Sequence, residues 1–305
     1  MRVLVTGAAG PRGRQITAAL LSLGHDVIGV DTEAWDDVPE ELAFHRLDHR
    51  KRGFEELLRQ SELDAIVHLA VHAGFRLAAA ARHRLNLEGT TRVLELGRLH
   101  GIQRIVIASH AAVYGALPDN PLFMTEEAPP RVGRSFPEMQ DLVTADLLAT
   151  TSMWKHPELS VVVLRPVHAL GPTARGALTS MLRRDLFPMV LGYDPMVQVI
   201  HELDLAEAFA MSVEPRVERG VYNVTGPGGL PLSVLAREAG ARPLAVPELA
   251  MKLLRGRLGL PRVRAGALDF LKHPCLIDGD HFRELSGFVP QRDLKTTARS
   301  PRRLS

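Results

Sequence analysis

Short runs of apolar, mostly β-branched residues alternate along the first half of the chain with longer stretches in which apolar residues recur every three or four positions. The runs "RVLVTG" (2–7), "DVIGVD" (26–31), "LDAIVHLA" (63–70), "RIVIASH" (104–110) and "SVVVLRP" (160–166) predict strands. The stretches "RGRQITAALLSLGH" (12–25), "FEELLRQSE" (54–62), "LNLEGTTRVLELGRLHG" (85–101) and "DLVTADLLATTSMW" (141–154) predict helices, the first ending at Gly24. "LDAIVHLA" is apolar without alternation, as a strand covered on both faces must be. This alternation predicts an α/β fold, a doubly wound parallel sheet with helices on both sides. After Pro166 the rhythm changes: Pro and Gly become frequent, strands shorten, and helices such as "VLAREAG" (234–240) and "LAMKLLRG" (249–256) follow loops. A first domain over 1–170 and a smaller C-terminal lobe over 171–295 are therefore expected, with a flexible basic tail over 296–305.

Candidate chemistry begins at the first turn. "VTGAAGPRGRQI" sets Gly7, Gly10 and Gly13 between the first strand and the first helix. Glycines in that context permit a tight turn, close approach of a pyrophosphate to the backbone, and close helix–strand packing. The helix N-terminus then offers free N–H groups to the anion. The fold expected is thus Rossmann-type. Asp31 ends the second strand, where a carboxylate bonds both ribose hydroxyls and repels a 2′-phosphate, so NAD is the expected cofactor rather than NADP. Asp48, in "HRLDHR" after a third strand, is a candidate for contact with adenine, with a helix N-cap as the alternative. No Gly-Lys dipeptide occurs, which removes a P-loop.

Composition narrows the classes further. A chain of 305 residues with 46% hydrophobic and 24% charged residues buries a real core. A net charge of +2 argues against nucleic acid as the main partner. The late basic clusters "RGRLGLPRVR" and "KTTARSPRRLS" read as a solvated face and a frayed terminus. The single cysteine, Cys275, excludes an internal disulfide and any paired-cysteine metal motif. No apolar run approaches the ~20 residues that span a membrane. The opening "MRVLVTG" is already strand-like at Val3, leaving no room for a signal peptide, so the cytoplasm is expected.

The order of these motifs resembles the extended short-chain dehydrogenases, the NAD-dependent epimerase/dehydratase family that includes nucleotide-sugar epimerases. The resemblance runs through "TGAAGPRG", "IVHLA", "NLEGTTRVLE", "ASHAAVYG", "LRPVHALGP", "VQVIHELDLAEAFAMSVE" and "GVYNVTG". It implies that Leu69, Ala70 and Asn86 lie beside the cofactor and that Arg165 and Pro166 start a loop crossing near the nicotinamide. It implies too that residues 196–225, with His201 and Asp204, return to the nucleotide domain. The C-terminal lobe would then hold a small or nucleotide-linked, sugar-type substrate, and the chain would form a homodimer.

The family's chemistry rests on a Tyr-x-x-x-Lys pair on the helix after the fifth strand, and this chain lacks it. Four residues before Lys51, Lys155, Lys252, Lys272 and Lys295 stand Leu47, Thr151, Glu248, Leu268 and Gln291. Alignment on "VYG" puts His110, or Ser109 one step earlier, where an assisting hydroxyl normally lies. His72, His110 and His168 all follow strands whose carboxyl ends ring one crevice. Imidazoles there suit proton transfer near neutral pH or an open metal site, and incidental hydrogen bonding is the bland alternative. A Ser109–His110 hydrolytic pair is disfavoured, since adjacent strand residues face opposite ways and no nucleophile-elbow motif is present. Glu138 and Asp141 are candidate carboxylates on the altered helix. Three functions stay open: an atypical epimerase/dehydratase-like enzyme, a non-catalytic dinucleotide-binding regulator or scaffold, and a non-redox lyase or cyclase.

Overall fold

The computed structural model describes residues 1–71, 78–253 and 264–302. The chain opens with β1 (Arg2–Thr6), α1 (Pro11–Ser22), β2 (Asp26–Asp31), β3 (Leu42–Arg46), α2 (Arg52–Gln60) and β4 (Ala65–His68). It continues through α3 (Ala79–His83), a π-helical turn over Arg84–Glu88, α4 (Gly89–Leu99) and β5 (Arg104–Ala108). A 3₁₀ turn at Ala111–Tyr114 leads to α5 (Val132–Ser135), α6 (Gln140–Lys155), β6 (Ser160–Pro166) and β7 (His168–Leu170). Then come α7 (Ala177–Leu182), β8 (Leu186–Val190), β9 (Met196–His201), α8 (Glu202–Met211), β10 (Gly220–Val224) and β11 (Gly229–Pro231). The chain closes with α9 (Leu232–Glu238), β12 (Arg242–Val246), α10 (Glu248–Leu253), α11 (Asp280–Ser286) and α12 (Leu294–Arg299).

Seven strands form one sheet in the order β3-β2-β1-β4-β5-β6-β10, every neighbouring pair parallel. Period-two alternation sends successive side chains to opposite faces. Val3, Val5, Val27, Val67 and Val106 join one apolar layer, and Leu4, Ile28, Ile66, Ile105 and Val163 the other. That double burial is why these strands carry unbroken apolar runs. Strand order reverses between β1 and β4, so the crevice for a ligand opens beyond their carboxyl ends. A separate apolar cluster of Leu170, Leu182, Phe187, Val199 and Leu235 lies under two small sheets, β11-β9-β7 and β12-β8.

Two differences from the sequence reading have local causes. The helix expected from residue 85 starts as the π turn over Arg84–Glu88 and becomes α-helical only at Gly89. Beside that junction His49 Nε2 would lie 2.6 Å from a Cβ at Gly89, so a larger residue there would have to displace the His49 ring. The tail expected to be flexible is instead ordered through Arg302. Asp293 caps α12 by accepting from the Thr296 N–H, and Thr297 and Ala298 are fully buried. Arg302 donates to the carbonyls of Leu182 and Arg184, and Arg183 Nε donates to the carbonyl of Pro301 at 2.9 Å. These arginines serve as anchors to main-chain oxygens. Among the described residues no helix is long and apolar enough to cross a membrane.

Candidate active site at the carboxyl edge of the sheet

The glycine turn joins β1 to α1, with Pro11 at the first helical position, where its missing N–H costs nothing. Gly7 has φ +76°, and a Cβ there would lie 3.2 Å from the amide nitrogen of Ala70 and 3.3 Å from the carbonyl carbon of Leu69. A Cβ at Gly13 would lie 2.1 Å from the Gly7 oxygen and 2.7 Å from Ala8 Cα, all immovable main chain. Both positions therefore demand glycine for the fold itself. Gly10 is different. Its φ of −67° and ψ of 157° suit any residue, and a Cβ would meet only the Gly7 oxygen, at 3.6 Å. The protein makes no demand for glycine at that point, and glycine there leaves the backbone open to close approach by a ligand such as a pyrophosphate. Asp31 sits at the rim, its Oδ2 accepting from the Ala9 N–H at 3.0 Å and its Oδ1 from the Glu33 N–H at 3.1 Å. Leu69 continues from β4, its N–H donating to the Thr6 carbonyl at 3.1 Å, so the Leu69–Ala70 main chain walls the turn. This cradle fits a dinucleotide.

Other sequence-read positions are drawn elsewhere. Asp48 binds Arg50 at 2.9 and 2.7 Å, and that pairing holds its carboxyl down at about 2. Asn86 is fully buried in the π turn. Arg165 and Pro166 end β6, both buried. The Arg165 guanidinium donates to Asp146 at 2.9 and 2.5 Å and to the Tyr114 hydroxyl at 2.9 Å, so only its main chain is available to the crevice. Tyr114 in turn donates to Asn223 Oδ1 at 2.8 Å. The Ser109 hydroxyl is buried and donates to Asp146 at 2.5 Å, so its proton is engaged there. Asp141 pairs with Arg82 at 3.0 Å and with His83, and Glu138 pairs with Arg264 at 3.1 Å. His72 lies outside the described residues.

His110 and His168 do come together. Their ring centroids are 4.8 Å apart at a 56° tilt, because β5 ends at Ala108 and its parallel neighbour β6 ends at Pro166, each just before one of the two histidines. His110 stands on the opposite side of the chain from Ser109, as the strand alternation requires. It caps the following 3₁₀ turn, its Nδ1 accepting the Ala112 N–H at 2.9 Å. Burial, then the neighbouring His168 and Arg12, push its pKa well below the usual histidine value. Burial pushes His168 down to about 4. Both rings are therefore neutral at pH 7. Two neighbours escaped the sequence reading. Arg12, in the first turn of α1 between Gly10 and Gly13, adds positive charge, and burial lowers its own pKa. Cys275 lies 3.7 Å from the Ala111 oxygen, its thiol pushed up to about 12 by burial. Among the described residues no group of three His, Cys, Asp or Glu is placed to hold a metal ion.

Residues 3–225 match the model of the NAD dependent epimerase/dehydratase family. This chain belongs to that family. The family is NAD-dependent, and NAD is the cofactor of this chain. A Mycobacterium tuberculosis protein of uncharacterised function is 28% identical over 303 residues, covering 95% of this chain and 80% of that one. The UDP-glucose 4-epimerase of Bos taurus is 26% identical over 339 residues, covering 86% of this chain and 94% of that one. Among solved structures, the Thermus thermophilus UDP-glucose 4-epimerase in complex with NAD superposes with a TM-score of 0.76 at 22% identity, covering 99% of this chain and 97% of that one. MoeE5 in complex with UDP-glucuronic acid and NAD gives 0.77 at 23% identity, covering 98% and 97%. At such identities the structures establish a shared fold.

Proposed function

We propose that the chain is an enzyme that holds NAD across the Gly7–Gly13 turn and works on a nucleotide-linked sugar without the family's Tyr-x-x-x-Lys pair. The observation that supports this reading is Gly10: the fold does not require glycine there, and its open backbone suits a pyrophosphate. Asp31 at the rim favours the unphosphorylated ribose. Leu69, Ala70 and Asn86, with the main chain at Arg165 and Pro166, complete the cofactor side. Residues 171–295 supply the substrate lobe, apart from 196–225, whose β10 extends the large sheet. Bound there, the nicotinamide supplies a hydride acceptor and donor. This chain's own part is to orient a sugar carbon toward it, to exclude water and to polarise an oxygen. The His110–His168 pair is what stands at the carboxyl ends of β5 and β6 to do so.

The test is calorimetry with NAD present, using a panel of UDP- and dTDP-sugars, followed by nicotinamide absorbance during incubation. Binding of at least one sugar nucleotide is expected, with a transient or net absorbance change for the true substrate. Interconversion of UDP-glucose and UDP-galactose is not expected, because its usual proton-transfer group is missing. No binding of any sugar nucleotide would overturn the substrate class. A second reading, a cofactor-binding regulator without turnover, is favoured by the engagement of Ser109, Glu138 and Asp141 with other partners. It predicts NAD affinity and no absorbance change with any sugar.

We also infer a cytoplasmic homodimer, supported by the family resemblance and by exposed Leu99 on α4 and Leu147 and Trp154 on α6. Light scattering that returned a monomer mass at micromolar concentration would remove the dimer, and recovery in a membrane or exported fraction would remove the location.

A further inference from the structure

We propose that His110 acts as a fixed hydrogen-bond donor, its Nε2–H offered to a substrate oxygen, with no proton passed. The inference rests on the sugar-nucleotide reading for the identity of that oxygen, and on the geometry of the turn for everything else. A backbone N–H can only donate, so the ring nitrogen facing Ala112 must be an unprotonated acceptor. The neutral imidazole then carries its single proton on Nε2.

This tautomer is overdetermined. His110 is extended at φ −159° and ψ 141°, which turns its ring back over the 3₁₀ turn at Ala111–Tyr114. Protonating Nδ1 would set one N–H against another and leave the cap unmade. Among the described residues, every titratable or charged group facing the ring opposes a second proton or is indifferent to it. His168 on β7 is a close imidazole and Arg12 on α1 is a cation. Cys275, across the same turn, stays a neutral thiol. Among the described residues nothing accepts from Nε2, so the one donor the ring owns is left for a ligand.

The chemical consequence separates two roles that sequence alone leaves merged. A general base needs a free lone pair, and the Ala112 N–H occupies the only one. A general acid near neutral pH needs an imidazolium, and burial with His168 and Arg12 close by disfavours it. What remains is polarisation: a neutral imidazole held against a backbone N–H presents a donor that gains strength as charge develops on the oxygen it faces. That is the work of the hydroxyl the family usually places on this strand, done here by a group that does not titrate in the neutral range.

The test is nitrogen NMR on protein labelled in its histidines, with His110→Gln used to assign the signal. A pyrrole-type Nε2 and a pyridine-type Nδ1, unchanged from about pH 5.5 to about pH 8.5, are expected; the unperturbed ring titrates near ~6.5. Titration within that range, or a proton on Nδ1, overturns the inference whatever the substrate. A second arm adds UDP-glucose or UDP-glucuronic acid to the NAD complex. Binding by calorimetry together with a shifted Nε2 signal supports the donor role. Binding with an unmoved Nε2 overturns it, whereas no binding of either sugar nucleotide fails the functional reading and leaves the tautomer result standing by itself. On whichever sugar nucleotide turns over, His110→Gln, which keeps an N–H donor, should hold kcat within about tenfold, and His110→Ala should lose ~10²-fold or more. Equal loss in both variants counts against hydrogen-bond donation.

Discussion

Lowering the pH from about 7 to about 5 should cost this protein stability through His168, and replacing that residue with Phe should remove its share of the cost. Burial holds the folded ring down at about 4, against ~6.5 in the unfolded chain. Between those values the unfolded chain binds the proton and the folded one does not. Stability from this group is therefore complete above the unfolded value and is lost as pH falls toward the folded one. With those two values, the linkage relation gives about 2 kcal/mol lost between about pH 7 and about pH 5. His110 shifts in the same direction and adds to the slope. Phe at 168 keeps a ring against His110 and cannot take a proton. Urea denaturation of both proteins at the two pH values reads the difference, at constant m-value. A parent whose midpoint does not move between them, or a His168→Phe variant with the same slope as the parent, would show that the pair is solvated and the site is not what the structure describes.

The other expectations follow from single contacts. Asp146→Ala should destabilise by about 3–5 kcal/mol in chemical denaturation, because it strands the Arg165 guanidinium in a buried site; a loss under ~1 kcal/mol would mean water reaches that network. Gly13→Ala should abolish soluble folded protein, since its Cβ would lie 2.1 Å from the Gly7 oxygen, and a normal melting curve would show the turn to be looser than described. Asp31→Ala should weaken NAD and shift preference toward NADP, measured by calorimetry, because the carboxylate that repels a 2′-phosphate is gone; tighter NADP binding by the unaltered protein would refute the assignment.

How much of this was legible beforehand depends on how local the cause was. The runs "VLVT", "AIVH" and "VVVL" announced a parallel sheet because burial on both faces leaves no room for polar alternation. β3 reads "LAFHR" and is half exposed, so its pattern carried little signal. Gly7, Gly10 and Gly13 were found by spacing, yet spacing treats them alike. Only the surroundings of each Cβ show that two serve the fold and one is left open. The convergence of His110 and His168 followed from both lying two residues beyond the neighbouring strands β5 and β6 at one edge of the sheet. The tautomer did not, because it depends on the Ala112 N–H and on backbone angles that no pattern encodes. Arg302 looked like solvated tail charge for the same reason: its carbonyl partners lie over a hundred residues away.

The most direct test of the account is NAD binding by Gly10→Ala. The structure leaves room for the added methyl, with 3.6 Å to the Gly7 oxygen, so the melting temperature should stay with the parent. The cofactor cannot share that room, so NAD affinity measured by calorimetry should fall by about tenfold or more, some 1.4 kcal/mol. A parent that gives no heat with NAD or NADH, or a variant that binds NAD as tightly as the parent, would contradict the claim that this turn is a dinucleotide cradle.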